Sequence, residues 1–316
     1  MNVVFFGTAD FGLPTLEAIR SHPRHRLVGV VTGTDKPRGR GLSLSPTPIA
    51  AALEASGFQP VLKPERLNDA DLVARLQSLD ADAFVVVAFR ILPESVYTLP
   101  RFAFNLHASL LPAYRGAAPI QRAIMAGETR TGVTTFLLKK TVDTGDIIGQ
   151  RETQIGSDET GGVLYERLSG LGAELVIETL DQLESGHAES IPQDPRLASP
   201  APKITDADLW LEFGCPAHDL INQVRALAPR PGASARFRDG SVKIFALAPV
   251  NSPSLQGPSG AVVALDHQRG PVVATGQGLV SITQIQPAGK KTQSGAEFIR
   301  GYHPEPGELF GAPTKA

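Results

Sequence analysis

Three side chains in this 316-residue chain have the types needed to move an acyl group: Asn105 and His107 in FNLHASLLPAYRGAAP, and Asp143 in TVDTGD. An amide N–H stabilises the oxyanion of a tetrahedral intermediate, an imidazole handles protons near neutral pH, and a carboxylate orients the imidazole. Such a set suits acyl transfer to an amine that attacks directly, without a nucleophile from the protein. Ser109 lies close by, but no G-x-S-x-G elbow surrounds it, so it reads as a contact and not as an acyl carrier.

Residues two apart in a strand share a face, so Asn105 and His107 point one way and Leu106 the other. Taken alone, an N-x-H pair also fits a polar strand end that merely satisfies backbone groups. The SLLP and YRGAAP runs that follow favour a ligand, because proline-locked backbone and small residues allow close approach.

The elements that would position this pair are legible as periodicities. Residues 3–6, 27–31, 84–88 and 102–106 form short β-branched or aromatic runs, separated by the helical patterns LPTLEAIRSH, TPIAAALEAS and NDADLVARLQSL. Alternation of this kind predicts a Rossmann-like α/β domain with a mostly parallel sheet. Ligands of open parallel sheets bind beyond the carboxyl ends of the strands, where Asn105 and His107 fall. The first strand-to-helix turn, GTADFG, lacks the middle glycine of a dinucleotide fingerprint and reads as a tight turn without a nucleotide. Two further strands are expected in GVTTFLLKK and GDIIGQRETQI, with the Asp143 turn between them, and a long helix from Thr160 to Leu183.

Residues 187–203 carry four prolines and little periodicity and read as an interdomain linker. The expected domains are therefore 1–186 and 204–316. In the second, CPAHDLINQVRAL predicts a helix, DG between two alternating runs predicts a hairpin, and GAVVALDH, GPVVATGQG and LVSITQIQP predict strands. These strands suggest a small OB-like β-barrel.

The stretch FNLHASLLPAYRGAAPIQRAI, together with VDTGDI, resembles the formyltransferases that use 10-formyltetrahydrofolate. The start VVFFGTADFGLPTLEAI, the loop DKPRGRGLSLSPTPI and the stretches INQVRALAPRPGA and IQPAGKKTQSGAEFIRG are similar to the branch of that family that formylates methionyl-tRNA. The resemblance implies that Asn105, His107 and Asp143 are catalytic. It implies folate contacts at Ser109, Leu110, Leu111 and Pro112, and in the loop Phe89, Arg90, Ile91 and Leu92. That loop departs from the family pattern: AFRILP is one residue shorter than the usual AYGxILP and has Arg90 in place of glycine. The implied cosubstrate is 10-formyltetrahydrofolate, the implied partner is initiator methionyl-tRNA, and no metal is required. A formyltransferase acting on a small amine, such as an amino sugar nucleotide or glycinamide ribonucleotide, is the alternative. A folate or tRNA binding module without turnover is a second.

Lys36, Arg38 and Arg40 lie in a glycine-rich stretch, TGTDKPRGRGLSLSP, that composition alone would leave as a solvated loop. The family resemblance makes it a tRNA contact, extended by Lys290, Lys291 and Arg300 from the second domain. From residue 203 on there are 11 Lys or Arg against 9 Asp or Glu, a slight basic bias that fits a phosphate-rich partner.

Bulk properties exclude several classes. A net charge of −2 gives no whole-chain field for nucleic acid, so any such binding is local. Apolar runs fall short of the roughly 20 residues that span a bilayer. The start has neither a basic region nor a small-residue cleavage site, so a cytoplasmic protein is expected, and a monomer is a separate expectation. Cys215 is the only cysteine, which leaves no internal disulfide or cysteine zinc site, and it reads as a small buried hydrophobe.

Overall fold

The apolar runs of the first half become the middle of one sheet because both of its faces are covered. The computed structural model describes residues 1–38, 43–54 and 56–312. In chain order the elements are β1 (Asn2–Gly7), α1 (Leu13–Ser21), β2 (Arg26–Val31), β3 (Lys36–Arg38), β4 (Ser43–Ser45), α2 (Pro48–Glu54), β5 (Val61–Leu62) and α3 (Ala70–Ser78). There follow β6 (Ala83–Val87), α4 (Glu94–Tyr97), β7 (Phe102–His107), α5 (Pro119–Met125), β8 (Arg130–Leu137), β9 (Ile147–Gln154) and α6 (Gly161–Ser185).

Seven strands pair in the order β5-β2-β1-β6-β7-β8-β9. All pairs up to β7 are parallel; β7–β8 and β8–β9 are antiparallel. Val3, Val4, Phe5, Phe6, Val85 and Val87 are fully buried, the mark of strands sandwiched between helices. The expected mostly parallel α/β sheet is thus present. The glycine-rich stretch is not all loop: β3 and β4 form a small antiparallel hairpin. Arg40 lies outside the described residues.

By packing, the chain divides into two units. The first comprises residues 1–119, 130–154 and 165–201, and the second 120–129, 155–164 and 202–316. Within the second unit, α5 is joined to α7 (Asp206–Leu209) by a two-pronged ion pair, Arg122 Nη1 and Nη2 to the Asp208 carboxylate at 2.7 and 2.9 Å. The same carboxylate caps α7 by accepting the Thr205 N–H at 2.8 Å. The remaining elements are α8 (Ala217–Leu227), β10 (Ala233–Phe237), β11 (Gly240–Val250), β12 (Val262–Asp266), β13 (Gly270–Ala274), β14 (Leu279–Pro287), β15 (Gln293–Ser294), α9 (Gly295–Tyr302) and β16 (Phe310–Gly311).

These strands form an antiparallel sheet in the order β12-β13-β14-β11-β10-β16, with β15 beside β14. The sheet curls until its ends meet: the Val262 N–H donates to the Glu308 carbonyl and the Phe310 N–H to that of Gly260, each at 2.8 Å. Curling of this kind satisfies the outer strands' backbone groups and is the barrel-like domain expected from the strand pattern. Its core holds Phe237 stacked on Phe310 at 4.5 Å and edge-on to Phe298, closed by Leu220, Val224 and Leu227 of α8.

Two local expectations change. The β10–β11 turn is Arg238–Asp239, one residue earlier than a DG turn, since Phe237 pairs with Gly240. Arg238 takes the left-handed φ of 53° that such a turn needs. Its guanidinium is tied to Glu308 at 2.6 and 2.9 Å. Cys215 is exposed and not buried, because it lies in the turn leading into α8 and not on that helix's apolar stripe.

Arg122 holds the Asp208 carboxyl well below the usual carboxylate range, chiefly through its hydrogen bonds. A depressed carboxyl pKa stabilises the fold above the unfolded value, near 4, and that gain is lost as pH falls below it. Asp208→Asn should therefore cost about 1–3 kcal/mol at pH 7. The gap to the parent should shrink progressively below about pH 4, as read by urea unfolding across pH.

Candidate active site

Strands β1, β6 and β7 end side by side, with Gly7 opposite Val87 and Val87 opposite Leu106. The connections that follow them therefore emerge at one sheet edge. In the first connection, a Cβ on Gly7 would meet the Phe5 ring at 2.5 Å, and one on Gly12 would meet it at 2.9 Å. Those glycines make room for a core phenylalanine. The turn is anchored from α6: Tyr165 Oη accepts the Phe11 N–H at 2.8 Å and donates to Asp10, and burial with that bond pushes the phenol pKa up.

His107 is buried at the end of β7, and its Nε2 lies 2.9 Å from the Tyr114 carbonyl. A carbonyl only accepts, so Nε2 carries the hydrogen and the tautomer is set by backbone, not by the carboxylate. The free nitrogen, Nδ1, faces Asp143 Oδ2 at 3.9 Å, an ion-pair spacing longer than a direct hydrogen bond. Asp143 Oδ2 also accepts the Gly116 N–H at 2.9 Å. Asn105, half-buried, stands two residues before His107, and among the described residues its amide has no hydrogen-bond partner. The sheet thus presents an uncommitted amide near an imidazole whose one open nitrogen faces a carboxylate.

The SLLP run is held from below by Thr134 of β8. Its hydroxyl donates to the Ser109 carbonyl at 2.7 Å and accepts the Leu111 N–H at 3.1 Å and the Gln150 side-chain N–H at 3.0 Å. Ser109 is fully buried and donates its hydroxyl to the Ala113 carbonyl at 2.7 Å, so it closes the turn. Leu111 is buried, whereas Leu110 and Pro112 are half-buried. In the loop after β6, Leu92 is buried in the core and Phe89 packs edge-on to Phe6 at 5.7 Å. Ile91 is 70% exposed. Arg90 donates to the carbonyls of Pro64 and Glu65 at 2.8 and 2.9 Å, which tethers the shortened loop to the one after β5.

Of the cationic candidates, Lys36 and Arg38 lie on β3, Lys290 and Lys291 are exposed after β14, and Arg300 is exposed on α9. Sequence reasoning missed Tyr114 and, beyond the room it leaves for a ligand, Gly116; it also missed Thr134, Gln150 and Gln193. The first two act through backbone atoms, which carry no residue-type signal, and Gln193 falls in the proline-rich stretch. Far from being free, that stretch lies along the first unit: Ile191 pairs with Ile147 through two 2.8 Å backbone bonds, and Ser199 Oγ accepts the Tyr114 N–H at 2.9 Å.

One group of metal-ligand types occurs among the described residues, His22, His25 and Asp181. His25 Nε2 lies 2.9 Å and Arg24 Nη2 2.5 Å from the same Asp181 oxygen, and His22 Nδ1 accepts two backbone N–H groups. An arginine on the carboxylate makes this an ion-pair network rather than a cation cradle.

The family described as Formyl transferase matches residues 1–180, and Formyl transferase, C-terminal domain, matches 203–303. Methionyl-tRNA formyltransferase of Symbiobacterium thermophilum is 41% identical over 315 residues, covering 99% of this chain and 96% of that one. That of Chlorobium luteolum is 43% identical over 311 residues, covering 96% and 98%. The chain belongs to the methionyl-tRNA formyltransferase family. Among solved structures, HypX from Aquifex aeolicus in complex with tetrahydrofolic acid shares the fold at a TM-score of 0.64 and 20% identity. That match covers 95% of this chain and 47% of HypX, so the chain spans about half of HypX's length.

In this formyltransferase, Gly116 has φ 131°, and a Cβ there would meet the Ala201 carbonyl oxygen at 2.5 Å. Gly116→Ala should destabilise by about 1–3 kcal/mol, through strain and the displaced loop. Gly170 in α6, whose Cβ position is open, is the control: Gly170→Ala should stabilise by roughly 0.5–1 kcal/mol. Urea unfolding of both variants reads the contrast.

Proposed function

We propose that this chain transfers the formyl group of 10-formyltetrahydrofolate to the α-amino group of methionyl initiator tRNA. Full-length identity near 40% to proteins named methionyl-tRNA formyltransferase carries this reading. The juxtaposition of Asn105, His107 and Asp143 at one sheet edge supplies chemistry to match.

An α-amino group titrates at about 7.7–8.0, so a useful fraction is neutral at pH 7 and no strong base is needed. The amine lone pair forms a bond to the formyl carbon, and the carbonyl π pair moves onto oxygen. Asn105 Nδ2–H and, with the ring protonated on both nitrogens, His107 Nδ1–H donate to that oxyanion; Nε2–H is committed to Tyr114 and takes no part. The attacking nitrogen loses its proton to the Asp143 carboxylate. As the carbonyl re-forms, the bond from carbon to N10 breaks and N10 takes the proton, leaving tetrahydrofolate. Backbone of residues 89–92 and 109–112 is the proposed rest for the pterin. Among their side chains Ser109, Leu92 and Leu111 are buried and act through the shape they give the loops.

Lys36, Arg38 and Arg40, with Lys290, Lys291 and Arg300, are proposed to meet tRNA phosphates, which attract cations without regard to sequence. Among the described residues no helix is long and apolar enough to cross a membrane.

Mixing the protein with 10-formyltetrahydrofolate and charged initiator tRNA should yield formylmethionyl-tRNA, and an amino sugar nucleotide should remain unmodified. His107→Ala and Asp143→Ala should each lower kcat by about 10²–10³-fold while leaving the unfolding midpoint near the parent's. Near-normal single-turnover rates would sink the assignment. Arg40→Ala should raise KM for tRNA and flatten its dependence on salt, with KM for folate unchanged.

A further inference from the structure

Gln193 sits in the proline-rich stretch, half-buried, far in sequence from every residue assigned above. Its amide nitrogen donates to the carbonyl of Asp143 at 3.0 Å and to that of Gly145 at 2.8 Å. Its amide oxygen accepts from Arg115 Nε at 3.1 Å and Nη2 at 2.6 Å. A carboxamide offers two N–H donors and an oxygen with two lone pairs, and all four positions are used. The partners leave no freedom in orientation, since carbonyls demand the NH₂ and a guanidinium demands the oxygen.

The two segments that Gln193 joins are those that build the site. On one side is the β8–β9 loop carrying Asp143, with the backbone bond of Gln193 made to Asp143 itself. On the other is the loop whose Tyr114 carbonyl holds His107 and whose Gly116 N–H holds the Asp143 carboxylate, with Arg115 between them. We propose that Gln193 is a positioning residue for formyl transfer, setting the Asp143 carboxylate against His107 Nδ1 by clamping both loops. The proposal rests on the reading above that Asp143 takes part in the reaction.

No shorter or differently charged side chain serves. Asparagine is one methylene short of spanning the loops. Glutamate keeps the Arg115 contact but turns an oxygen toward two carbonyl oxygens, so it separates a role at Asp143 from a role at Arg115 alone.

The test compares kcat and KM for folate and tRNA in Gln193→Ala, Gln193→Glu, Asp143→Asn and the double variant Gln193→Ala/Asp143→Asn, with thermal melting of each. A site loosened by about an ångström loses on the order of 10- to 100-fold in rate. Both Gln193 variants should show that loss in kcat, with KM for either substrate changed less than about threefold. In the Asp143→Asn background Gln193→Ala should change kcat less than about twofold, because the group it positions is already gone. A fully additive double variant, or Gln193→Glu with parental kcat, overturns the proposal. So does a loss confined to KM or one tracking a fallen melting temperature in both single variants. Should Asp143→Asn itself keep parental kcat, the mechanism fails and the Gln193 role with it. If Asp143→Asn is impaired and Gln193→Ala is not, only the Gln193 role fails.

Discussion

The distance between the Asp143 turn and the end of β7 is the constraint that shapes the site. Strand β8 runs antiparallel to β7, and its last residue, Leu137, lies opposite Phe104, while His107 lies three residues further on. The turn that follows β8 therefore starts roughly 10 Å from the histidine along the strand direction. Residues 138–146 must double back to bring a carboxylate to Nδ1, and the bonds within the loop, Lys139 to Asp146 at 2.7 Å and Thr144 to the Thr141 carbonyl at 2.9 Å, do not reach the histidine. Its left-handed Asp143, with φ 55°, adds strain that surrounding structure has to hold.

What holds it is backbone and a strap of extended chain. The Gly116 N–H takes the carboxylate, the Tyr114 carbonyl takes the imidazole, and residues 191–201 bind both loops through Ile191, Gln193, Ser199 and Ala201. Below them, Thr134 and Gln150 fix the SLLP run from strands β8 and β9. The switch from parallel to antiparallel pairing after β7 serves the same end. It puts two strands beyond the histidine whose side chains support its loop. At the site, Asn105 is left with its amide uncommitted among the described residues, the state in which a donor is ready for a developing oxyanion.

Much of this was readable locally. Hydrophobic alternation located β1, β2, β6 and β7 to within about a residue, and helical spacing located α1, α3 and α6. The period of two put Asn105 and His107 on one face, and the motif picked out Asp143 as their partner. In the second half, alternation marked β10 to β14, and the curled sheet they form has the barrel-like character expected of them. The hairpin β3–β4 was hidden because glycine and charged residues dominate its composition.

The sequence by itself determined the elements, the face that carries the amide and imidazole, and the family, because periodicity and residue type are local properties. Tertiary structure alone decided which imidazole nitrogen is free, since that depends on a main-chain carbonyl at Tyr114 that any residue would supply. It decided which partners the stretch read as a linker bonds to, the loops of residues 114–118 and 143–147, since proline-rich chain without periodicity gives no sign of where its hydrogen bonds go. It also closed the second sheet through Gly260–Val262 and Gly307–Phe310, which lie about fifty residues apart. Bonds to backbone groups distant in sequence leave no mark on side-chain patterns, and such bonds fix the side chains of His107, Asp143 and Gln193.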